Sequence, residues 1–306
     1  MRFLRSPFGS LLIVLLLGSL VAVGATTVQV RRVTSPPRHA NPPIDFEAMK
    51  IRVEDVTFPA ADGVRLRGSL LRGDPGLPPL VLCHDYGSSR SALSHLAIAL
   101  RKNGFTVLAF DFRGHGDSEG KFSSRGVREK RDILGAVQFL SEQPGIDARR
   151  MGIYGVGMGA HAAVLAAFDR PVLRVLVLDG LYPDASYALV RDVFAGWSFG
   201  VQRLGFLPRA VYAVLHQESV DEQRAAEVLQ KLLGRDLLLL APAGDGSLTA
   251  EMQRMYSAIP QQPDLEGNLV ILPATESVGL EGDELARYYE RVAQFFTSRL
   301  AQRPVS

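Results

Sequence analysis

The chain has 306 residues, 47% of them hydrophobic, and its 34 basic and 32 acidic side chains leave a formal net charge of +2. This length accommodates one large α/β domain or two small ones, with enough apolar residues for a sizeable core. So small a net charge gives no indication of the strong positive field of a nucleic-acid-binding protein, and we expect no nucleic-acid partner. The single cysteine, Cys83, excludes an intramolecular disulfide, and the sequence lacks the Cys and His spacings of metal sites. We therefore expect neither a metal nor another cofactor.

An uncharged apolar segment at residues 11–30 follows Arg2 and Arg5 near the N-terminus. Twenty helical residues span about 30 Å, the thickness of the hydrocarbon core of a bilayer. The preceding basic residues favour a cytoplasmic N-terminus and export of the rest of the chain. We predict that residues 1–34 form a retained membrane anchor, which places the protein on the extracytoplasmic face. The alternative is a cleaved signal peptide, with small residues at 23–25, which would make the protein secreted or periplasmic.

Residues 35–49 begin with a proline-rich stretch and predict a semi-rigid spacer before a globular domain at 50–302. Two alternating segments around the turn 61–63 indicate a hairpin at the start of this domain. Short apolar runs then predict buried strands at 80–83, 106–111, 151–155, 174–179, 236–241 and 268–272, with helices between most of them. This alternation predicts a mainly parallel, doubly wound sheet. It is interrupted at 181–234 by about fifty mostly helical residues, which we predict to be a cap over the strand ends, where ligands bind in open α/β sheets.

Two motifs accompany these elements. The octet Asp111-Phe-Arg-Gly-His-Gly-Asp-Ser118 follows the second buried strand, and a run of small residues from Gly155 to Gly159 connects the third strand to an Ala-rich helix. The order of the elements, the octet and this turn resemble the α/β-hydrolase superfamily, in particular its bacterial serine-aminopeptidase and monoacylglycerol-lipase-like branch. The resemblance covers roughly residues 50–302 and implies the α/β-hydrolase fold. We expect Arg113 to pair with carboxylates, and His115 and Asp117 to have structural roles.

The family's nucleophile position is occupied by a glycine. The family holds a serine in the middle of a G-x-S-x-G turn, where this chain has Gly157, and a residue without a side-chain oxygen cannot attack a carbonyl. The family's oxyanion loop, H-G-x-G, corresponds to His84-Asp85-Tyr86-Gly87, and the resemblance implies backbone donors at Tyr86 and Met158. Asp85 stands at a glycine position and brings a carboxylate near the expected anion site, where a negative charge opposes catalysis.

The family's remaining catalytic residues are an acid and then a histidine, in that order along the chain. Asp245 matches the acid, and Glu276 stands where the family has the histidine. No histidine follows His216 in the sequence. A carboxylate cannot replace an imidazole that Asp orients while it takes a proton, and Asp245 would repel it. Two of the three catalytic positions are therefore lost.

We predict a membrane-tethered or exported pseudo-hydrolase that binds a small apolar, acyl or peptide ligand, or a protein, between the turn and the cap. One alternative is an active esterase, lipase or peptidase with unconventional residues, such as a water activated by Asp245 and Glu276. Ser88, Ser89 and Ser118 are better explained as turn residues, and His161 as a packing residue. The other alternative is a structural or interaction protein with an empty pocket.

Overall fold

The computed structural model of the chain describes residues 7–41, 51–196, 204–221, 223–260, 267–272 and 280–301. Within these residues the centre of the molecule is an eight-stranded sheet with the order β1-β2-β4-β3-β5-β6-β7-β8. The strands are β1 (Val53–Pro59), β2 (Arg65–Leu71), β3 (Leu80–Cys83), β4 (Val107–Phe110), β5 (Met151–Val156), β6 (Leu173–Asp179), β7 (Asp236–Pro242) and β8 (Gly267–Leu272). Strands β3 to β8 are parallel, whereas β1 and β2 form the predicted antiparallel hairpin. The predicted mainly parallel sheet is confirmed.

The helices are α1 (Pro7–Thr34), α2 (Ser94–Lys102), α3 (Glu129–Ser141), α4 (Met158–Asp169), α5 (Ala185–Val193), α6 (Phe206–His216), α7 (Ala225–Leu229), α8 (Gly246–Ser257) and α9 (Gly282–Phe296). Apolar residues of α3, α4 and α8 pack on one face of the sheet, and those of α2 and α9 pack on the other. Strands covered on both faces need continuous apolar runs, which is why β3, β4 and β7 are buried along their whole length. Layers on both faces leave the carboxyl ends of the strands open to a ligand.

The predicted cap contains α5, α6 and α7, between β6 and β7. The end of α1 packs against α5 and α6, and Val30 is buried in one cluster with Leu189 and Tyr212. From Ser10 to Thr34, α1 is long and apolar enough to cross a membrane. One face of its last two turns nevertheless packs in the core of the cap.

The segment after α1 is held on the domain. The Arg38 guanidinium donates to the backbone carbonyls of Gly116, Ser118 and Gly120 at 2.9, 2.8 and 2.6 Å. Asn41 donates to the carboxylate of Asp111 at 2.9 Å. Residues 35–41 therefore lie along the octet, whereas their prolines predicted a semi-rigid spacer that holds the domain away from the membrane. Residues 42–49, the remainder of the predicted spacer, lie outside the described residues.

The octet itself is an ion-pair centre. The Arg113 guanidinium donates to Asp132 at 2.9 and 2.6 Å and to both carboxylate oxygens of Asp62 at 2.8 and 2.7 Å. Arg113 thus pairs with carboxylates as expected. Its hydrogen bonds lower the pKa of Asp62 to about 2. A lowered pKa means that this contact stabilises the fold fully above pH 4 and that the contribution disappears as the pH falls toward 2.

We predict that Asp62→Asn lowers the free energy of unfolding at pH 7 by about 1 to 2 kcal/mol, because it removes one charged partner of a mostly buried guanidinium. The wild-type protein should lose this difference between pH 4 and pH 2, and the two unfolding curves should converge there. Urea unfolding in a mild detergent at several pH values measures the effect, with Asp55→Asn on the exposed face of β1 as the control. A difference that stays constant down to pH 2 would contradict the ion-pair explanation.

Candidate functional site

The turn between β5 and α4 has the backbone that the resemblance implies. Gly157 has φ +50° and ψ −107°, a conformation that side-chain-bearing residues rarely adopt. Its N–H donates to the carbonyl of Asp179 at 2.8 Å, and its own carbonyl accepts the N–H of His161 at 3.0 Å as α4 begins. A β-carbon on Gly155 or Gly159 would overlap neighbouring backbone atoms. The small residues of this turn therefore allow α4 to pack directly on β3 and β5.

The two predicted donors converge on one acceptor, and that acceptor belongs to the chain itself. The backbone N–H groups of Tyr86 and Met158 both donate to Oδ1 of Asp85, each at 2.7 Å. A β-carbon built on Gly157 would overlap the same carboxylate. The sequence suggested only that Asp85 lies near this site. In the structure its carboxylate occupies the position between the donors and leaves no room for a side chain at 157.

Two buried histidines hold the loops around Asp85. His84 donates through Nδ1 to the carbonyl of Asp85 at 2.7 Å and accepts the N–H of Phe112 at Nε2, at 3.1 Å. His115 donates through Nδ1 to the carbonyl of Arg113 at 2.9 Å and accepts the N–H of Gly87 at 3.2 Å. Each ring accepts a backbone N–H and is therefore neutral. Burial lowers both pKa values, that of His84 to about 3. Both ring nitrogens of each histidine are therefore engaged in hydrogen bonds to the backbone of these loops.

His161 follows the turn by one helical turn but does not line the pocket above it. Its ring is fully buried and stacks on Tyr182 with centroids 5.0 Å apart. Burial lowers the pKa of His161 to about 4, so the ring is neutral at pH 7. These contacts agree with the packing role expected from the sequence.

Asp245 lies at the expected place after β7, but its hydrogen bonds are those of a helix cap. Its Oδ1 accepts the N–H of Leu248 at 3.0 Å and the hydroxyl of Ser247 at 2.9 Å. Its other oxygen lies 3.5 Å from the guanidinium of Arg191 in the cap. A carboxylate that accepts a backbone N–H at the start of α8 stabilises that helix. Glu276, the other predicted position, lies outside the described residues.

A cavity of about 170 Å³ lies above Gly157, between the turn and the cap. Its polar lining includes four carboxylates and two guanidinium groups: Asp85, Asp179, Asp192, Asp245, Arg125 and Arg191. Asp179 ends β6 and accepts the hydroxyl of Tyr288 at 2.7 Å, and Tyr288 in turn contacts the hydroxyl of Tyr154 at 2.6 Å. No motif pointed to Asp179. Its place at the carboxyl end of a predicted parallel strand was the available signal.

Arg125 is a second cavity residue that the sequence analysis did not identify. It connects the cavity to α1. Its backbone has φ +59°, an uncommon conformation outside glycine that costs about 1 kcal/mol or more. Its guanidinium forms an ion pair with Asp192 at 2.6 Å and lies 3.4 Å from the centroid of the Tyr86 ring. It also donates to the carbonyl of Val33 at 2.7 and 3.1 Å. Together, the contacts with Asp192, Tyr86 and Val33 hold this residue in its unusual backbone conformation.

We predict that Gly157→Ala destabilises the protein by about 2 to 4 kcal/mol, because a β-carbon there strains the backbone and overlaps Asp85. In that background Asp85→Gly should recover at least about 1 kcal/mol, since it removes the overlapping carboxylate. The double-mutant cycle is measured by chemical unfolding in detergent.

Gly145→Ala is the matched control, because Gly145 also has a positive φ but has no neighbour within 4 Å of an added β-carbon. Asp85→Gly should give no recovery in this background. Equal recovery with both alanine variants would show that the coupling does not come from overlap at position 157.

Comparisons with known proteins agree with this architecture. Residues 78–181 match the family model described as serine aminopeptidase, S33. The uncharacterized protein Rv2307c of Mycobacterium tuberculosis is 31% identical over 230 residues, which cover 72% of this chain and 76% of that protein. Thiohydrolase aneE of Aspergillus aculeatus is 34% identical over 151 residues, 45% of this chain, and the match spans 48% of its length. The esterase Pf2001 of Pyrococcus furiosus superposes with a TM-score of 0.66 at 23% identity, over 87% of this chain and 99% of the esterase.

Proposed function

Because the chain belongs to the α/β-hydrolase superfamily, we propose that it is a membrane-tethered or exported member that has lost hydrolysis and binds a ligand or protein partner above Gly157. The observation that carries this proposal is the position of Asp85. Its carboxylate accepts hydrogen bonds from both backbone N–H groups that the resemblance to the family assigns to the oxyanion. It also fills the space in which the side chain of a nucleophile at 157 would lie. In this proposal Gly157 and Glu276 are lost catalytic positions, and Asp245 is a retained one.

Acyl transfer in this superfamily needs a nucleophile and a pair of N–H donors that are open to the substrate's oxygen. Gly157 carries no oxygen, and loss of a triad nucleophile costs on the order of a millionfold in turnover. The donors are engaged by Asp85, so a substrate carbonyl would have to displace a charged acceptor to reach them. Loss of one such donor alone costs about a hundred to a thousandfold. The two defects act on different parts of the mechanism.

The same geometry supports retained binding. The cavity is smaller than the roughly 300 to 1,000 Å³ of a site for a drug-sized ligand, and at about 170 Å³ it suits a short acyl group or one side chain of a peptide. Leu248 and Ala188 supply apolar contacts, and Arg191 and Asp192 supply charge on the cap side. A ligand with a small apolar end and a polar group fits this lining.

The restoration of catalysis tests the proposal. We expect the wild-type protein to hydrolyse p-nitrophenyl esters no faster than buffer and to resist fluorophosphonate probes. The double variant Gly157→Ser with Glu276→His should also stay inactive, because Asp85 still occupies the donors and overlaps position 157. Addition of Asp85→Gly should give probe labelling at residue 157 and an increase of at least about a hundredfold in ester hydrolysis, a small part of the range that a full triad spans.

Two controls accompany this series. Asp245→Asn in the triple variant should remove most of the gained activity if Asp245 is the retained acid. Wild-type turnover well above buffer that Asp245→Asn abolishes would contradict the proposal and favour the active-enzyme alternative. A double variant as reactive as the triple variant would contradict the blocking role of Asp85.

Ligand binding is tested separately by thermal unfolding of the wild-type protein with fatty acids, acylglycerols and short peptides. A ligand that binds only the folded state raises the Tm. The increase grows with the ratio of the ligand concentration to its Kd. Arg191→Ala should reduce the increment for a polar ligand, because Arg191 lines the cavity from the cap. The absence of any increment in all three classes would favour an interaction protein with an empty pocket.

A further inference from the structure

Helix α1 consists of two parts with different surroundings. From Pro7 to Ala25 each described side chain is exposed, including large apolar ones such as Leu16 and Leu20. Burial begins at Thr26 and repeats at Val30 and Thr34, which are 8%, 0% and 1% exposed. The first part is about 28 Å long at 1.5 Å per residue, close to the thickness of the bilayer's hydrocarbon core. The second part presents one face at a spacing of four residues.

That buried face packs α1 against the cap. Val30 packs in the cluster that α5 and α6 form, and the hydroxyl of Thr34 lies 3.4 Å from Nε2 of His216. The carbonyl of Val33 accepts two hydrogen bonds from Arg125. Domain packing thus starts one residue after the exposed apolar part ends. A bilayer around the first part would lie directly against the cap.

The direction of α6 determines which residues would meet that bilayer. His216, the last residue of α6, contacts Thr34, the last residue of α1, and the two helices pack together. The start of α6 therefore lies back along α1, toward Thr26. The distance from His216 to Phe206 is about 15 Å along the helix, and from Thr34 to Thr26 it is about 12 Å. Leu204 and Phe206, at this end, are 47% and 65% exposed.

We propose that the start of α6, with Leu204 and Phe206, is a membrane-contact surface that seats the cap on a lipid bilayer beside the entry point of α1. This inference rests on the membrane-tethered part of the proposed function. Large apolar side chains at the surface of a membrane-bound domain lower the free energy of binding when they enter the headgroup region, because their apolar area leaves water. The continuity of this surface with the exposed part of α1 favours a bilayer as its occupant.

The seating also positions the cavity. Leu189 and Val193 of α5 pack in the cluster with α1, whereas Ala188 and Arg191 of the same helix line the cavity. Helix α5 therefore lies between α1 and the cavity, and Arg125 of the cavity lining also contacts the end of α1 directly.

The test uses site-specific fluorescence in the full-length protein, reconstituted into phosphatidylcholine nanodiscs. Cys83 is the only cysteine and is buried, so an introduced cysteine is the reactive thiol in the folded protein. Labels are placed by Phe206→Cys, Val214→Cys and Leu16→Cys, and quenching by lipids with a nitroxide high on the acyl chain is compared. Leu233→Cys is the matched control, because Leu233 is 61% exposed and lies between α7 and the amino end of β7, whereas the cavity under the cap lies at the carboxyl ends of the strands.

We expect the label at 206 to be quenched about twofold more than the label at 214, because eight residues of α6 separate them by about 12 Å. The label at 233 should be unaffected, and the label at 16 should be quenched. Quenching at 16 with none at 206 would overturn the seating while leaving the tether intact. No quenching at 16 would contradict the tether itself, on which the seating depends, but would not bear on catalytic loss. Lipid-independent cross-linking between Phe206→Cys copies would assign the surface to a second copy and overturn the proposal.

Discussion

The carboxylate of Asp85, bonded to the backbone N–H groups of Tyr86 and Met158, is the interaction on which the site depends. An oxyanion hole presents two donors that have no acceptor within the backbone, and an unsatisfied buried donor costs about 1 to 3 kcal/mol. Here a side chain of the protein itself satisfies both donors. Met158 is also the first residue of α4, so the carboxylate lies at the positive end of that helix. The loop after β3 and the turn after β5 are thereby joined as one packed unit.

The cap is joined to this unit through Arg125. Its guanidinium contacts the carbonyl of Val33, the carboxylate of Asp192 and the ring of Tyr86. The Val33 carbonyl lies in the last turn of α1, where carbonyl groups have no N–H partner within the helix. The Arg125 guanidinium supplies the missing donors. The N–H of Tyr86 in turn donates to Asp85. A short series of direct contacts therefore connects the end of the N-terminal helix with the site, and the buried face of α1 keeps that helix end in place.

The fold could be predicted from the sequence because the patterns that indicate its strands and turns each lie within a short stretch of residues. Apolar runs bounded by turns indicated the parallel strands, and small residues around Gly157 indicated the strand–turn–helix unit. The position of the Asp85 carboxylate could not be derived in this way, since the sequence shows the charge but not its direction. The docking of Arg38 on the octet was hidden because prolines indicate stiffness and not location. In α1 the buried face at Thr26, Val30 and Thr34 was hidden because two of these three residues are polar, so their four-residue spacing gives no apolar pattern.

Asp85 and Gly157 are physically dependent on each other, and this dependence bears on the proposed loss of catalysis. With a serine at 157, the side chain and the Asp85 carboxylate would claim the same space. With glycine at both positions, the space would be open and the two N–H donors would need water as their acceptor. In the orientation that satisfies both donors without water, the carboxylate of Asp85 therefore takes the space that a side chain at 157 would need. On the proposed function, the two residues form one consistent alternative to the catalytic arrangement, in which the N–H donors assigned to a reaction intermediate instead stabilise the fold.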